Sequence, residues 1–405
     1  MLSRRAALSG LSGLALTAPA LRAQTVPTLR IGILQDRSGP ASHLGGAGSV
    51  ACARLAAEEM AERAGLKVEL LQADHQNKPD LGMSIARQWI DSGVDALLEF
   101  NNSAIALAVN DLVRDRDKVM LANNVGNAAL SGRACTPNMT HWTFDTAMLA
   151  NSLGNALVEQ GGDTCFFIRA DYTFGQALRD DTAAVVEKRG GRVLGEVAVP
   201  VGTTDFASAL VRAQASRAKV VALALFGTDL LNCIKQAGEF GIGRRNQKLG
   251  ALIIYLQDVH SLGLAAAQGT QLTESFYWDL DDRTRAFTRR VLPQTGGVPP
   301  NMGQAGAYSA TLHYLKAVAA LGPAAAKASG RTTVARMKRL PIEDDVLRNA
   351  RIREDGRVVS DVFLFTVKTP AASKGEWDLY ERSATIGPDQ AWRSMADGGC
   401  VPGKA

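Results

Sequence analysis

The sequence predicts an α/β fold: two doubly wound parallel-sheet lobes with a ligand cleft between them. Three observations lead there. Strand-like and helix-like segments alternate in two successive sets, the pattern of parallel sheets covered by helices on both faces. About 380 residues remain once the leader described below is removed, too many for one simple core and comfortable for two. The carboxyl ends of the expected strands carry small or polar residues, at 36–46, 74–78, 101–103, 123–127, 170–175 and 226–229. Open parallel sheets place their ligands at those ends.

The first set opens with an apolar run at 29–34 that ends at Gln35-Asp36. A helix follows over 48–64, with Ala51, Leu55 and Ala56 at helical spacing and Gly65 as its stop. A strand at 68–71 closes on Asp74-His75-Gln76-Asn77. Pro79 suits the first position of the next helix, whose inner face reads as Leu81, Ile85 and Trp89 before Gly93 ends it. A strand at 96–100, a helix from Asn102 and a strand at 119–122 complete the set. The second set runs as strand 164–168, helix from Phe174, strand 193–197, helix 206–216, strand 220–225, helix from Thr228 and strand 249–256. No Pro/Gly-rich linker separates the sets, so several short crossovers are expected. Helices at 304–321 and 332–340, a turn at Asp355-Gly356-Arg357 and a last strand at 362–366 finish the chain.

Residues 1–23 read as a secretory signal peptide. Arg4 and Arg5 make a positive start, 6–16 form a weakly apolar run, and Ala18, Ala20 and Ala23 suit a signal peptidase. The run is far short of the ~20 residues a membrane span needs. The paired arginines leave both the Sec and the twin-arginine routes open. Outside the cytoplasm there is no ATP and little NAD, so solute binding is favoured over cofactor chemistry and no cofactor is expected. Removing the leader takes away three arginines and no acid, which lowers the formal charge from +5 to about +2. A nucleic-acid or anionic-membrane partner therefore has little support.

Five cysteines in an exported chain divide by context. Cys52, Cys165 and Cys233 sit among apolar neighbours and read as buried thiols. Cys135 and Cys400 sit in Gly/Pro loop chemistry, and an oxidising compartment favours pairing them, although sequence alone does not fix connectivity. No CxxC or zinc spacing occurs.

Several segments resemble, in order and over essentially the whole mature chain, the periplasmic solute-binding proteins of ABC transporters in the branched-chain amino acid group. They are Gly32-Ile-Leu-Gln-Asp-Arg-Ser-Gly-Pro40, the Asp74 to Pro79 strand end, Asn101-Asn-Ser103, Ala170-Asp-Tyr-Thr-Phe-Gly175 and Gln236-Ala-Gly-Glu-Phe-Gly241. A subgroup that takes up organic acids and aromatic breakdown products is resembled more closely. Its marks are Ala73-Asp-His-Gln-Asn-Lys-Pro-Asp80, Phe276-Tyr-Trp-Asp279 and the terminal Gly-Gly-Cys400. The resemblance implies a type I periplasmic-binding fold with three crossovers and hinge closure on a cleft ligand. The lobes are expected over 24–144 plus 279–356, and over 145–278 plus 357–405. It further implies that Asn102 and Ser103 hold a ligand carboxylate, that Asn124, Val125 and Gly126 add contacts, and that Phe174 or Tyr172 covers the ligand. Permease and ATPase subunits of an inner-membrane importer are the implied partners, in the periplasm, for a monomer that is not an enzyme.

One departure bears on the ligand. Amino-acid binders of this family place an acid near 253–256 to neutralise an ammonium, and here the stretch is Ile253-Ile-Tyr-Leu256. A buried ammonium without a counter-charge costs several kcal/mol. A carboxylate on an apolar or aromatic body is therefore expected, with Tyr172, Phe174, Phe226 and Tyr255 offering ring faces. A branched-chain amino acid, an amide, or a sensor presenting the same cleft to a signalling receptor stays as the alternative.

Other motifs read more blandly. Gly46-Ala-Gly48-Ser-Val-Ala51 matches a dinucleotide fingerprint but stands too far from the preceding strand for the tight turn a phosphate site needs. His43 and His75 lie in strand-end loops and are candidate ligand contacts, with a structural loop role open for both. The five histidines are not spaced as metal ligands, and neither G-x-S-x-G nor H-E-x-x-H occurs in the mature chain. Asp74 reads as a cap or a contact, and Arg244-Arg245 and Arg289-Arg290 as solvated faces.

Overall fold

The structure, a computed structural model, describes residues 26–401 apart from 160 and 244–246. The leader and Arg244-Arg245 thus lie outside the described residues. The first lobe begins with β1 (Thr28–Gln35), α1 (Gly46–Ala64), β2 (Lys67–Asp74) and α2 (Pro79–Asp91). It continues with β3 (Ala96–Phe100), α3 (Ser103–Asp115), β4 (Val119–Asn123) and β5 (Met139–His141). All pair in parallel in the order β2-β1-β3-β4-β5. β3 and β4 are buried at every residue because helices cover both faces, while the edge strand β2 alternates with solvent.

The chain then crosses through α4 (Thr146–Leu149), a π-helical stretch at Ala150–Gly154 and α5 (Asn155–Glu159). The second lobe holds β6 (Thr164–Ala170), α6 (Thr173–Lys188), β7 (Arg192–Val199), α7 (Ala207–Ala215), β8 (Val220–Ala224), α8 (Gly227–Glu239) and β9 (Lys248–Ala251). Its parallel order is β7-β6-β8-β9. α9 (Leu256–Leu262), α10 (Leu264–Ala267) and β10 (Gln271–Glu274) precede a return to the first lobe through α11 (Asp282–Val291), α12 (Met302–Leu321), α13 (Pro323–Ala328) and α14 (Gly330–Arg339). β11 (Arg351–Ile352) and β12 (Val358–Val359) form a short hairpin. β13 (Val362–Val367) and β14 (Tyr380–Ile386) join β10 in an antiparallel sheet, before α15 (Pro388–Ala391) and α16 (Met395–Gly398). No helix among the described residues is long and apolar enough to cross a membrane.

Three expectations need correction. The strand placed at 249–256 stops at Ala251, and Tyr255 instead occupies the N-cap position of α9. Leu252, Ile253 and Ile254 are buried in the connecting loop, and an apolar run looks the same in a buried loop as in a strand. The buried row of α2 is Gly82, Ala86 and Ile90, one residue on from the face expected, with Leu81, Ile85 and Trp89 only half-buried. Gly82 sets this roll, since a Cβ there would lie 2.8 Å from Ile105 of α3. Arg290 is not simply solvated: it bonds Glu59 and, at 2.7 Å, Asp345, with its guanidinium over Tyr308.

The crossovers are tied to one another. His141 donates its backbone N–H to Gly356 at 2.8 Å, and the buried Arg357 donates to the Phe144 carbonyl at 3.1 Å beside Asp145. Trp392 lies 4.1 Å under that guanidinium and donates to the Ser360 carbonyl. The tail is held further by a Cys135–Cys400 disulfide with 5.7 Å between the Cα atoms, which is the pairing the loop chemistry favoured. Cys52, Cys165 and Cys233 are free and buried. A bridge spanning 265 residues of chain removes much freedom from the unfolded state. Cys400→Ser is expected to lower unfolding free energy by about 2–5 kcal/mol in a denaturant titration. An equal stability in the two proteins would show that the bridge is dispensable.

Candidate ligand-binding cleft

The carboxyl ends of the two parallel sheets face each other, and loops from both lobes wall a cleft between them. β6, β8 and β9 lead into α6, α8 and α9 through Tyr172, Phe226 and Tyr255, each in extended backbone conformation at the helix N-cap. An aromatic residue at that position sends its ring off the strand end instead of capping the helix. Neither α6 nor α8 has a side-chain cap at its N-terminus, and the residues at those N-cap positions, Tyr172 and Phe226, line the cavity. Phe174, one residue into α6, packs edge-on to Phe226 with centroids 6.0 Å apart, and Tyr172 is 5.7 Å from the same ring.

The first lobe supplies the polar half of the wall. Ser103, Asn124, Val125 and Gly126 line the cavity together with Tyr172, Phe174, Phe226 and Tyr255. These are eight of the eleven ligand-contact residues expected from sequence. Ala41, Leu44, Asn101, Phe144 and Ile253 complete it and were not foreseen as contacts. Asn101 had a signal, because it is the strand-end residue immediately before the Asn102-Ser103 turn. Its Oδ1 accepts from the Asp36 backbone at 2.9 Å, while its buried Nδ2 has no partner. Phe144 comes from a crossover, and its sequence context carried no comparable signal.

Three expected residues take other positions. Asn102 turns its Oδ1 onto the backbone N–H groups of Ala104 and Ile105, at 2.9 and 3.0 Å, and its Nδ2 onto Asn77. It caps α3 itself, which leaves those two donors unavailable to a ligand. His75 is fully buried between Phe100 and Asn77: Nε2 faces the Phe100 carbonyl at 2.6 Å, and Nδ1 faces the Asn77 N–H at 3.0 Å. Those partners require the neutral Nε2–H tautomer, and burial holds its pKa below the ordinary value. His43 sits at the rim with Nε2 2.8 Å from Asp258 of the other lobe. Asp74 proves a turn organiser, accepting from Ser38, Arg37 and Gln76.

The lobes meet across the cleft at several points. The Tyr255 hydroxyl donates to Asn124 Oδ1 at 3.0 Å, and the Tyr172 hydroxyl pairs with Ser103. A Cβ on Gly227, whose φ is +57°, would lie 2.3 Å from the Pro40 carbonyl, so only glycine permits this approach. The lobes are therefore closed, and the cavity holds only about 30 Å³. Ligand pockets ordinarily start near 300 Å³, so entry requires the lobes to part or the rings to turn.

Behind the wall lies a carboxyl with no cation. Glu99 is fully buried and accepts from Ser49 Oγ at 2.8 Å, Asn123 Nδ2 at 2.6 Å and Asn124 Nδ2 at 3.1 Å. Burial outweighs those three donors and pushes its pKa up to about 7. Burial, and then Asp258, Glu274 and Glu99, keep the Tyr255 hydroxyl protonated far above the ordinary range. No group of three or more His, Cys, Asp or Glu among the described residues is arranged to hold a metal ion.

The periplasmic binding protein family model matches residues 28–376. The chain belongs to that family. A periplasmic binding protein from Burkholderia mallei is similar at 39% identity with a TM-score of 0.88, over 93% of this chain and 99% of that one. A branched chain amino acid ABC transporter periplasmic ligand-binding protein from Burkholderia xenovorans LB400 is 36% identical with a TM-score of 0.82, over 92% of this chain and 99% of that one. A solute-binding protein from R. palustris in complex with benzoate shares the fold at 17% identity and a TM-score of 0.79, over 89% and 97% of the two chains. Among curated protein sequences nothing matches. The type I periplasmic-binding fold and the ABC-transporter group expected from the sequence are thereby shown.

Removing the Tyr255 hydroxyl deletes one bond between the lobes. Tyr255→Phe is expected to weaken solute binding about 2- to 12-fold, the effect of a hydrogen bond worth roughly 0.5–1.5 kcal/mol. Its melting temperature without solute should stay close to that of the parent. A Kd unchanged within error would mean that this bond does not contribute to closure.

Proposed function

We propose that this protein captures a small organic acid, a carboxylate on an apolar or aromatic body, and delivers it to an ABC permease after hinge closure. The observation that carries this reading is the wall itself. Five aromatic rings, from Phe144, Tyr172, Phe174, Phe226 and Tyr255, surround a patch containing the unpartnered Asn101 Nδ2. Among the described residues no Asp, Glu, Lys or Arg lines the cavity. A buried amide donor without a partner costs free energy until an acceptor reaches it, and a carboxylate is the strongest acceptor a solute carries. The uncapped starts of α6 and α8 favour negative charge without contributing a formal cation. The rings take the remaining body of the solute by face and edge contact. The benzoate complex of the R. palustris protein agrees with such a ligand on this fold.

Closure follows from the cross-cleft bonds. A solute first held by the first lobe gains the rings and the Tyr255 contact only when the second lobe swings over it, so it binds the closed form better and shifts the population there. The permease then reads the closed shape.

The test is a thermal-unfolding screen of the mature protein, refolded to strip co-purified solute. The panel contains benzoate, 4-hydroxybenzoate, 3-methylbutanoate, leucine, valine, neutral amides and NAD. A ligand at 100 times its Kd adds about 2.7 kcal/mol, a rise of several degrees. Shifts with the acids and none with leucine or valine are expected. A clear shift with leucine or valine alone would return the protein to amino-acid capture.

A further inference from the structure

The cleft contains an ionisable group that the capture reading does not use. A Cβ built on Gly45 would lie 2.5 Å from Glu99 Oε1, 2.8 Å from Asn101 Nδ2 and 3.3 Å from Asn124 Nδ2. These three atoms therefore converge on one point, and both asparagines line the cavity. Glu99 stands one side chain behind the surface where a solute carboxylate would meet its donors. It also orients that surface: Asn124 gives its Nδ2 to Glu99 and so turns its Oδ1 to Tyr255 across the cleft.

Among the described residues, the surroundings of Glu99 offer no compensating positive charge. α1 presents Ser49 and the buried Cys52, whose thiol is itself pushed up by burial and by the Glu99 charge. β4 and the loop after it present the Asn123 and Asn124 amides, and α12 presents the Gly303 carbonyl, which accepts from Asn123 at 2.8 Å. α9 presents Tyr255 at its N-cap and the acid Asp258 in its first turn, and β10 presents the acid Glu274. Among the described residues Glu99 forms no ion pair with any lysine, arginine or histidine.

We propose that Glu99 is a proton-linked positioning residue: it takes up a proton when an anionic solute binds, so the protein captures carboxylate and proton together. This rests on the organic-acid reading of the cleft. Two negative charges a few ångströms apart, in a site shielded from water, repel too strongly to persist together. The proton comes from solvent and leaves when the solute does. Carboxylic acids are already ionised above pH 6, so any pH dependence there belongs to the protein. Because burial places the Glu99 titration near 7, the coupling operates across the neutral range. The sign follows directly. Protonated Glu99 favours the anion, so affinity is high at pH 6 and falls as the pH rises through 7 towards 8.5.

The experiment is isothermal titration calorimetry of the mature protein with benzoate, 4-hydroxybenzoate and 3-methylbutanoate at pH 6, 7 and 8.5. It is run in PIPES and in Tris, whose different ionisation heats reveal proton uptake. Affinity is expected to fall about tenfold between pH 6 and 8.5, the effect of one pKa step. Net proton uptake should be largest above pH 7. In Glu99→Gln the slope and the uptake should vanish together, and the parent protein's buffer dependence decides alone should that variant fail to fold. Binding that is flat with pH and proton-neutral overturns the proposal while leaving the organic-acid reading intact. Affinity that rises with pH also overturns it, because the deprotonated protein would then bind these anions better than the protonated one. No binding of any of the three acids at any pH overturns the reading of the cleft and this proposal with it.

Discussion

The cleft depends on how the chain leaves β3. Glu99, Phe100 and Asn101 all have positive φ, at 91°, 98° and 26°, and none is glycine. Each such residue costs on the order of 1–3 kcal/mol and persists only where its surroundings over-determine it. Here they do. The Glu99 carboxyl takes three donors, the Phe100 carbonyl takes His75, and Asn101 Oδ1 takes the Asp36 backbone. Strand ends of β1, β2 and β4 are thereby bound to the end of β3, and the donors that would meet a solute are held by this one knot. His75, a ligand candidate on sequence, is part of that support.

The second requirement is a junction that holds the two lobes together. Crossover segments meet at Arg357, which is fully buried yet keeps a charge by donating to two carbonyls, lying beside Asp145 and stacking on Trp392. Burial lowers its pKa to about 10, still high enough to stay charged at neutral pH. Arg393 adds a bond to the Ala128 carbonyl of the first lobe and lies 3.8 Å from Asp181 of the second. The disulfide keeps that tail in place, so a segment remote in sequence becomes part of the junction between the lobes. In the closure proposed above, this junction would serve as the pivot for the cross-cleft bonds of Tyr255, Tyr172 and His43.

The fold was legible because its signals are local and periodic. Alternating strand and helix segments, Pro79 opening α2 and Gly65 closing α1 all rest on backbone chemistry that a few residues decide. Aromatic residues at strand ends were legible for the same reason. The orientation of polar side chains was not. Asn102 and Asn101 are neighbours of one type, and only the tertiary setting decides that the first caps its own helix while the second faces the cavity. Residue 99 reads as one more position in a buried strand, and nothing local says that its carboxyl turns inward under the site. Phe144 and Ile253 reach the wall through loops whose paths are set by packing, beyond the reach of periodicity.

That unseen carboxyl changes the electrostatic argument about the solute. From sequence, an amino acid was disfavoured because residues 253–256 contain no acid. In the structure the acids are present but shielded: Asp258 is engaged by His43 and by the Tyr255 N–H, and Glu274 is buried with its pKa raised well above the ordinary range. Among the described residues only Glu99 stands directly behind the donors, and its burial makes the neutral form accessible at neutral pH. An ionised Glu99 would suit an ammonium, whereas a protonated one suits a carboxylate. The unpartnered Asn101 amide weighs on the second side, because an ammonium cannot accept its hydrogen bond and a carboxylate can. The absence of any lysine or arginine from the wall does not oppose this. Amide donors and helix starts hold an anion at lower desolvation cost than a buried cation that must itself be compensated each time the cleft stands open.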